Sequence, residues 1–260
     1  VLLGCGKMGS AMLEGWLAKG LPASSVWVVD PKPSDWLQST GVNLNATLPA
    51  TPAVVLVAVK PQMMADALPT LQAMGNGETL FVSVAAGTTI GYFESVLGGD
   101  TPIVRAMPNT PAAISKGITA IVGNAKAGSR SLDEAETLLS AVGEVVRLTE
   151  EAQIDAVTGV SGSGPAYVFH MIECMTTAGV AQGLPEELAM QLAKATVAGA
   201  GALAMQAEED PAQLRVNVTS PNGTTQAALE VLMDEAEGFP PLLKRAVAAA
   251  ADRSRELANG

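Results

Sequence analysis

Short apolar runs alternate with helix-like stretches along the first 149 residues. The runs predict strands at residues 1–3, 26–29, 54–59, 80–84, 103–106 and 118–122. Most of them lack polar alternation, which is typical of strands that are covered on both faces. Helical patterns lie between them, at residues 10–19, 63–74 and 89–97. Strands that alternate with helices predict an α/β fold with a doubly wound parallel sheet.

The strand pattern stops after residue 150. From there the apolar positions predict helices at residues 154–157, 166–182, 185–207, 224–235 and 240–259. Pro185 begins one of them, because proline fits the first helical turn and the acidic residues that follow it favour a helix N-terminus. We therefore predict two domains, an α/β domain over residues 1–150 and an all-helical domain over residues 151–260.

Composition narrows the class of protein. Hydrophobic residues make up 48% and charged residues 16% of the 260 residues, so a folded core is expected. The net charge of −11 opposes nucleic-acid binding. Cys5 and Cys174 lie far apart, which predicts no disulfide framework and favours a reducing, cytoplasmic compartment. We count no apolar run of the roughly 18 residues that span a bilayer, so no membrane association is expected.

A glycine motif, Gly4-Cys5-Gly6-Lys7-Met8-Gly9, follows the first predicted strand and opens a helix. Gly4 permits a tight turn, Gly6 lets the backbone approach a pyrophosphate, and Gly9 lets helix and strand pack closely. The helix N-terminus offers backbone N–H groups to the phosphates. The motif's position at the start of an α/β pattern predicts a Rossmann-like dinucleotide-binding domain that uses NADPH or NADH.

The choice between the two dinucleotides stays open. Asp30 ends the second predicted strand, where a carboxylate binds ribose hydroxyls and disfavours the 2′-phosphate of NADP. Lys32 and Ser34 lie close by in the sequence and would attract that phosphate. These opposing signals predict that both cofactors are accepted.

Four further segments carry a resemblance to a known family. They are residues 58–61 (AVKP), 105–111 (RAMPNTP), 161–167 (SGSGPAY) and 218–225 (VTSPNGTT). With the glycine motif, and in this order, they resemble the pyrroline-5-carboxylate reductases, which catalyse the final step of proline synthesis. The resemblance runs from the first strand to the last helix, and it implies hydride transfer from NAD(P)H to an imine carbon.

The resemblance also implies site residues. The positions expected to bind the cofactor are Gly4, Cys5, Gly6, Lys7, Met8, Gly9, Asp30, Asn45, Ala58, Val59, Lys60, Pro61, Val84, Ala85, Ala86 and Asn217. The positions expected to bind the substrate are Glu208, Ser220, Asn222, Gly223, Thr224 and Thr225. Glu151 matches a further position around the nicotinamide and the substrate. No metal ligand is expected.

The loop over residues 220–225 suits a substrate carboxylate, because it leads into a helix whose first N–H groups would point toward an anion. The hydroxyl of Thr225 then either donates to the imine nitrogen or positions a water that does; alternatively, Thr224 or Thr225 is only a helix N-cap. Lys60, at the carboxyl end of a predicted strand, is either a second catalytic group or a solvated lysine.

Two departures from the family pattern affect these expectations. Asn222-Gly223 replaces the usual pair of glycines after Pro221, and asparagine tolerates the left-handed backbone that such a turn needs. Asp30-Pro31 replaces the Asn-Arg of NADP-preferring members.

Two residues with reactive side chains have ordinary explanations. His170 is expected to be a core or interface histidine. Cys5 lies in a turn whose electropositive character would lower its thiol pKa, yet it is expected only to pack, because hydride transfer needs no nucleophile.

The apolar helices after residue 154 predict a homodimer, or a ring of dimers as the resemblance implies, in which both subunits shape the substrate pocket. A β-hydroxyacid-type dehydrogenase or another imine reductase is the alternative enzyme, and a non-catalytic nucleotide sensor is the alternative from another class. The dehydrogenases use a catalytic lysine in the interdomain helix, whereas this chain offers Lys194 much later in the sequence.

Overall fold

The computed structural model describes residues 1–259, in two compact units. The first contains Val1–Gly162 together with the chain from Ala249 onward, and the second is Ser163–Ala248. The contacts thus divide the chain at Gly162, twelve residues beyond the expected boundary. The functional boundary at residue 150 stays a prediction.

The first unit is built on one sheet. Its strands are β1 Leu2–Leu3, β2 Trp27–Val29, β3 Asn43–Leu44, β4 Val54–Val57, β5 Leu80–Ser83, β6 Ile103–Met107, β7 Gly117–Gly123 and β8 Gly143–Arg147. In residues 1–259 they form an eight-stranded sheet of order β3-β2-β1-β4-β5-β6-β7-β8. All six predicted strands are present. β3 and β8 were not predicted, since β3 has two residues and β8 is a mostly exposed edge strand with polar ends.

The sheet is predominantly parallel, as predicted, and one pair departs from that direction. β7 runs antiparallel to β6, with Val104 opposite Gly123 and Met107 opposite Ala120. The nine residues that join these strands explain the reversal, because a parallel crossover needs a dozen or more residues. The remaining neighbours in the sheet are parallel.

Helices flank the sheet. Those of the first unit are α1 Lys7–Ala18, α2 Asp35–Ser39, α3 Met64–Ala67, α4 Ile90–Leu97, α5 Ser129–Leu139 and α6 Gln153–Val157. The single helix predicted over residues 63–74 is wrong, since only α3 is α-helical there and Leu68–Met74 is a 3₁₀ segment. Pro69 explains the change, because it lacks the N–H that an α-helix needs.

Two apolar layers cover the two faces of the sheet. Leu2, Leu56 and Val82 pack with the α1 residues Met12 and Leu13 and with Leu139 of α5. Their chain neighbours point to the other face, where Leu3, Val57 and Phe81 pack with Leu71, Phe93 and Ile154. This alternation of buried side chains confirms the doubly wound arrangement and explains why the strands lack polar positions.

The second unit consists of helices. They are α7 Gly164–Ala181, α8 Glu186–Gln206, α9 Pro211–Asn217, α10 Thr224–Leu232 and the first part of α11 Phe239–Asn259. Within it α7 packs against α8, where a Cβ at Gly179 would lie 3.1 Å from the Cβ of Ala189. Few of its side chains are buried, whereas Phe169 is 59% exposed and Met205 and Val231 are each 71% exposed.

Helix α8 adds to the expectation that no apolar run is long enough to span a bilayer. Among residues 1–259 it is the one helix that is, by length and composition, long and apolar enough to cross a membrane, and few of its residues are buried in the single chain. The sequence count missed it because Lys194 and other polar residues interrupt the run without lowering its average below that of membrane spans. One such helix is weak evidence for a membrane.

Candidate cofactor and substrate sites

The glycine turn links β1 to α1, and its three glycines differ in what a side chain would meet. Gly4 has φ +88°, and a Cβ there would lie 2.9 Å from Cγ1 of Val59. At Gly9 a Cβ would overlap the carbonyl oxygen of Gly4. At Gly6 it would meet nothing within 4 Å. The first two positions therefore need glycine for packing, whereas Gly6 leaves open space beside a helix N-terminus.

Helix α1 begins without a capping side chain. Its N-cap is Gly6, and the first hydrogen bond along the helix runs from the Ser10 N–H to the Gly6 carbonyl oxygen at 2.8 Å. By contrast, Ser34 caps α2 and Thr89 caps α4. The N–H groups of Lys7, Met8 and Gly9 precede that first bond, so they can bind an anion in the space beside Gly6. This geometry fits the pyrophosphate of a dinucleotide.

Asp30 ties the end of β2 to the glycine turn. Its Oδ2 accepts from the backbone N–H of Cys5 at 2.7 Å, and its Oδ1 accepts from the N–H of Lys32 at 2.8 Å. Asn45 lies on the neighbouring β3 side and binds the backbone of Asp30 with both ends of its amide, at 3.0 and 2.9 Å. The expected adenosine residues Asp30 and Asn45 are thus brought together beside the turn, where they also hold its backbone.

The thiol of Cys5 is less acidic than expected. Burial, followed by the negative charges of Asp30 and Glu14, raises the pKa of Cys5 to about 11. The expectation of an electropositive, pKa-lowering turn is therefore wrong, because burial of the thiol, together with the nearby carboxylates, outweighs the partial charge of the helix N-terminus. A thiol with this pKa stays protonated at neutral pH, which agrees with a packing role.

The ends of β4 and β5 lie at the same edge of the sheet as the glycine turn. Ala58 N–H donates to the Leu3 carbonyl at 2.8 Å, and Val59 abuts Gly4. Lys60 is exposed, and Pro61 begins the short 3₁₀ turn Pro61–Met63. From β5, Val84 donates to the Val57 carbonyl at 3.0 Å. The carboxyl edge of a parallel sheet is where dinucleotides bind, so these segments lie at the edge expected for the cofactor.

Val84 and the two residues after it open the loop between β5 and α4. Val84 and Ala85 are buried, whereas Ala86 is exposed. Only Ala86 of the three therefore presents its side chain to solvent at this edge, whereas the side chains of Val84 and Ala85 pack in the core.

An ion pair in the first unit was not predicted. Arg105, in β6 and nearly buried, donates from Nη1 to Oε1 of Glu151 at 2.7 Å. The same oxygen accepts from the N–H of Ile90, the first residue of α4, at 2.8 Å. The motif at residues 105–111 identified Arg105 in the sequence. Its pairing with Glu151, 46 positions away, could not be predicted from neighbouring residues.

The loop before α10, in the second unit, has an open helix N-terminus of its own. The N-cap is Gly223 and no side chain caps the helix, so neither Thr224 nor Thr225 serves as the N-cap. Asn222 has φ +57°, which confirms that asparagine accepts the left-handed conformation here. Its N–H donates to Oε1 of Gln226 at 2.7 Å. Thr225 is half-buried and Ser220 is exposed.

The remaining expected substrate and cofactor positions of the second unit lie before this loop. Glu208 is exposed and follows α8, and Asn217 ends α9, where its Oδ1 accepts from Nε2 of Gln213 at 2.7 Å. The core alternative for His170 is wrong: its side chain is 74% exposed and pairs with Glu173 at 2.9 Å. Among residues 1–259 no group of three or more Asp, Glu, His or Cys side chains is placed to hold a metal ion.

Comparison with known families agrees with both halves of the chain. A family model described as Pyrroline-5-carboxylate reductase dimerisation matches residues 151–257. Another, described as NADP oxidoreductase coenzyme F420-dependent, matches residues 1–87. A pyrroline-5-carboxylate reductase of Pseudomonas aeruginosa is 42% identical, over 98% of this chain and 95% of that one. One from Synechocystis is 41% identical, over 98% and 97% of the two chains.

Solved structures agree with the sequence comparison. A pyrroline-5-carboxylate reductase from Coxiella burnetii superimposes with a TM-score of 0.91 at 34% identity, covering 98% of this chain and 97% of that one. A pyrroline carboxylate reductase from Plasmodium falciparum, solved with NADP bound, has a TM-score of 0.85 at 27% identity, covering 99% and 97%. The chain therefore belongs to the pyrroline-5-carboxylate reductase family and is an NAD(P)H-dependent oxidoreductase.

Proposed function

We propose that this chain reduces 1-pyrroline-5-carboxylate to L-proline, the last step of proline synthesis, with NADPH or NADH as hydride donor. The observation that carries the proposal is the open, uncapped glycine turn in a chain that matches pyrroline-5-carboxylate reductases along nearly its whole length. The Plasmodium falciparum relative binds NADP, which supports the use of this class of cofactor.

The cofactor residues divide into three groups by what they offer. Backbone N–H groups of residues 7–9 bind the pyrophosphate, and Asp30 with Asn45 shapes the adenosine end. The strand-end segments at residues 58–61 and 84–86 line the nicotinamide side. Asn217, in the second unit, is a further cofactor position. When bound, the reduced nicotinamide supplies the hydride.

The reaction adds a hydride to the imine carbon and a proton to the imine nitrogen, so the C=N double bond becomes a single bond. The uncapped N–H groups at the start of α10 bind the substrate carboxylate, and Ser220, Asn222 and Gly223 complete this loop. Glu208 is a further substrate position, in the connection between α8 and α9. Thr225 donates a hydrogen bond to the imine nitrogen or to a water that protonates it. Lys60 adds positive charge near the nicotinamide phosphate or the imine.

We propose that the chain forms an obligate homodimer and that any larger assembly is a ring of such dimers. This proposal is supported by exposed apolar side chains of the second unit. Its large apolar side chains, among them Phe169, Leu203 and Val231, are exposed in the single chain. Aqueous exposure of this much apolar surface is unfavourable, and a stable dimer interface of about 2,000 Å² or more would cover it. The small residues at positions 195–204 are almost all exposed in the single chain and would permit close approach of a partner helix.

We further propose a cytoplasmic location and a functional division into a cofactor domain, residues 1–150, and a substrate and dimerisation domain, residues 151–260. The dimerisation match over residues 151–257 supports this division. Light scattering over a dilution series tests the assembly, and a fully active monomer at nanomolar concentration would exclude the obligate dimer.

One assay separates the candidate activities. In one reaction the purified protein is incubated with NADPH or NADH and 1-pyrroline-5-carboxylate. In the other it is incubated with the oxidised cofactor and a β-hydroxyacid. The absorbance of the reduced nicotinamide is followed in both. We expect consumption of NAD(P)H with the imine and formation of proline. Turnover of the hydroxyacid alone would identify the dehydrogenase alternative, and cofactor binding without turnover would identify a sensor.

A further inference from the structure

Glu151 joins two elements through one oxygen atom. Its Oε1 accepts hydrogen bonds from Nη1 of Arg105 at 2.7 Å and from the backbone N–H of Ile90 at 2.8 Å. The side chain of Arg105 is 6% exposed and that of Glu151 is 31% exposed. A charge-assisted contact between an almost buried guanidinium and a carboxylate fixes both groups more firmly than a surface pair.

These bonds hold the far end of the loop at residues 84–89. The near end is held by Ser83, which is opposite Arg105 in the sheet and whose Oγ accepts from the N–H of Ala85 at 3.3 Å. In the middle of the loop Gly87 has φ +72°, and a Cβ there would lie 3.4 Å from the Cβ of Leu257. The loop is therefore bonded at its start and its end, and its middle passes close to Leu257.

The carboxylate of Glu151 also neutralises the N-terminus of α4. Its charge lies where the partial positive charge of that helix is concentrated, and it engages the first helical N–H. Helix α1, with no capping side chain, keeps its N-terminus for the phosphates of the cofactor. Glu151 and the capping Thr89 occupy the N-terminus of α4, so it is not free for an anion, and we infer that Glu151 serves to place the loop.

We propose that Glu151 and Arg105 are positioning residues that hold residues 84–89 against the nicotinamide side of the site. This inference rests on the proposed function, because it assumes that the loop lines the nicotinamide. Neither side chain needs to touch the substrate. Their effect is on the distance and angle between the hydride donor and the imine carbon, to which hydride transfer is very sensitive.

The test compares Glu151→Ala with Glu151→Gln. Alanine removes the acceptor of both bonds, whereas glutamine keeps an oxygen that can accept them and loses only the charge. We expect Glu151→Ala to lower kcat roughly 10- to 100-fold, as a displacement of about 1 Å does. The dissociation constant of NADPH should change little, because the glycine turn is intact. Glu151→Gln should recover a large part of the loss.

A kinetic isotope effect distinguishes positioning from general destabilisation. With NADPH deuterated at the transferred position, the isotope effect on kcat should increase in Glu151→Ala, because hydride transfer becomes slower relative to the other steps. The matched control is Glu134→Gln, which breaks an exposed pair with Arg130 on α5. We expect this control to leave both kcat and the isotope effect unchanged.

The outcomes are separable. An inactive wild-type protein overturns the proposed function and this inference together. An active wild type with an unchanged kcat and isotope effect in Glu151→Ala overturns the inference alone, even if the melting temperature falls. If Glu151→Ala does not fold, Glu151→Asp decides, because it keeps the charge and shortens the side chain by one methylene, so the carboxylate no longer reaches both donors. A lower kcat with a larger isotope effect in Glu151→Asp supports the positioning role, and wild-type values of both overturn it.

Discussion

Substitution of Gly6 by valine separates cofactor binding from folding. Gly6 has φ −71° and ψ −160°, which valine adopts without strain, and a Cβ there would meet no protein atom within 4 Å. The fold should therefore lose only the preference of glycine over valine at a helix N-cap, about 1 kcal/mol. The new side chain instead fills the space that the pyrophosphate needs.

The loss of NADPH affinity can be estimated from the hydrogen bonds to the phosphates that the valine side chain would prevent. Hydrogen bonds to a charged group contribute about 1.5–3 kcal/mol each. Displacing the phosphates from one or two of the N–H groups of residues 7–9 should cost about 3 kcal/mol, which corresponds to a roughly 100-fold weaker Kd. Isothermal titration calorimetry with NADPH measures this change directly, and thermal unfolding reports the change in stability.

Gly128 provides a matched control. It is the N-cap of α5, has φ −67° and ψ −176°, and a Cβ there would also meet nothing within 4 Å. Its neighbours Lys126 and Arg130 line a groove with residues at the amino ends of β4, β5 and β6, the edge opposite the glycine turn. Gly128→Val should therefore lose the same small amount of stability and bind NADPH normally.

Gly9→Ala should instead lower the stability of the fold, since its Cβ would overlap the carbonyl oxygen of Gly4. We expect its melting temperature to fall further than that of Gly6→Val. A wild-type Kd in folded Gly6→Val would refute the assignment of this turn to the phosphates.

Three further predictions follow from the other site residues. Asp30→Ser should shift the ratio of kcat/KM values toward NADPH by about tenfold, because a negative charge near the 2′-phosphate is removed; an unchanged ratio means that Asp30 does not face the ribose. Thr225→Ala should lower kcat/KM about 10- to 100-fold, the size of a lost hydrogen bond to a developing charge, while Thr225→Ser retains most activity; equal values in wild type and Thr225→Ala exclude the hydroxyl from the reaction. Iodoacetamide at pH 8 should label Cys5 slowly in the folded protein and rapidly in urea. The folded-state pKa of about 11 keeps the Cys5 thiol protonated, so the reactive thiolate increases only as the pH rises toward that value. Rapid labelling of folded protein at Cys5, read by mass spectrometry, would contradict the raised pKa.

The local pattern of the sequence determined the elements that are covered on both faces. The apolar runs at β1, β4 and β5 predicted strands because parallel strands within such a sheet contact helices on each side. The tight turn at Gly4 and the close approach of Gly9 to the Gly4 carbonyl were also predictable, since both follow from backbone geometry within six consecutive residues. The family resemblance added the substrate loop, which no periodicity identifies.

Only the tertiary structure decided the pairings between distant residues. The antiparallel direction of β7, the edge strand β8 and the bond from Cys5 to Asp30 depend on where the chain returns, and neighbouring residues do not encode that path. The contact of Glu151 with Arg105 and Ile90 is of the same kind. A hydrophobic pattern specifies which face of an element is buried, because burial depends on local polarity. Which polar group a buried arginine meets depends on packing between elements, and it therefore had to be observed in the folded chain.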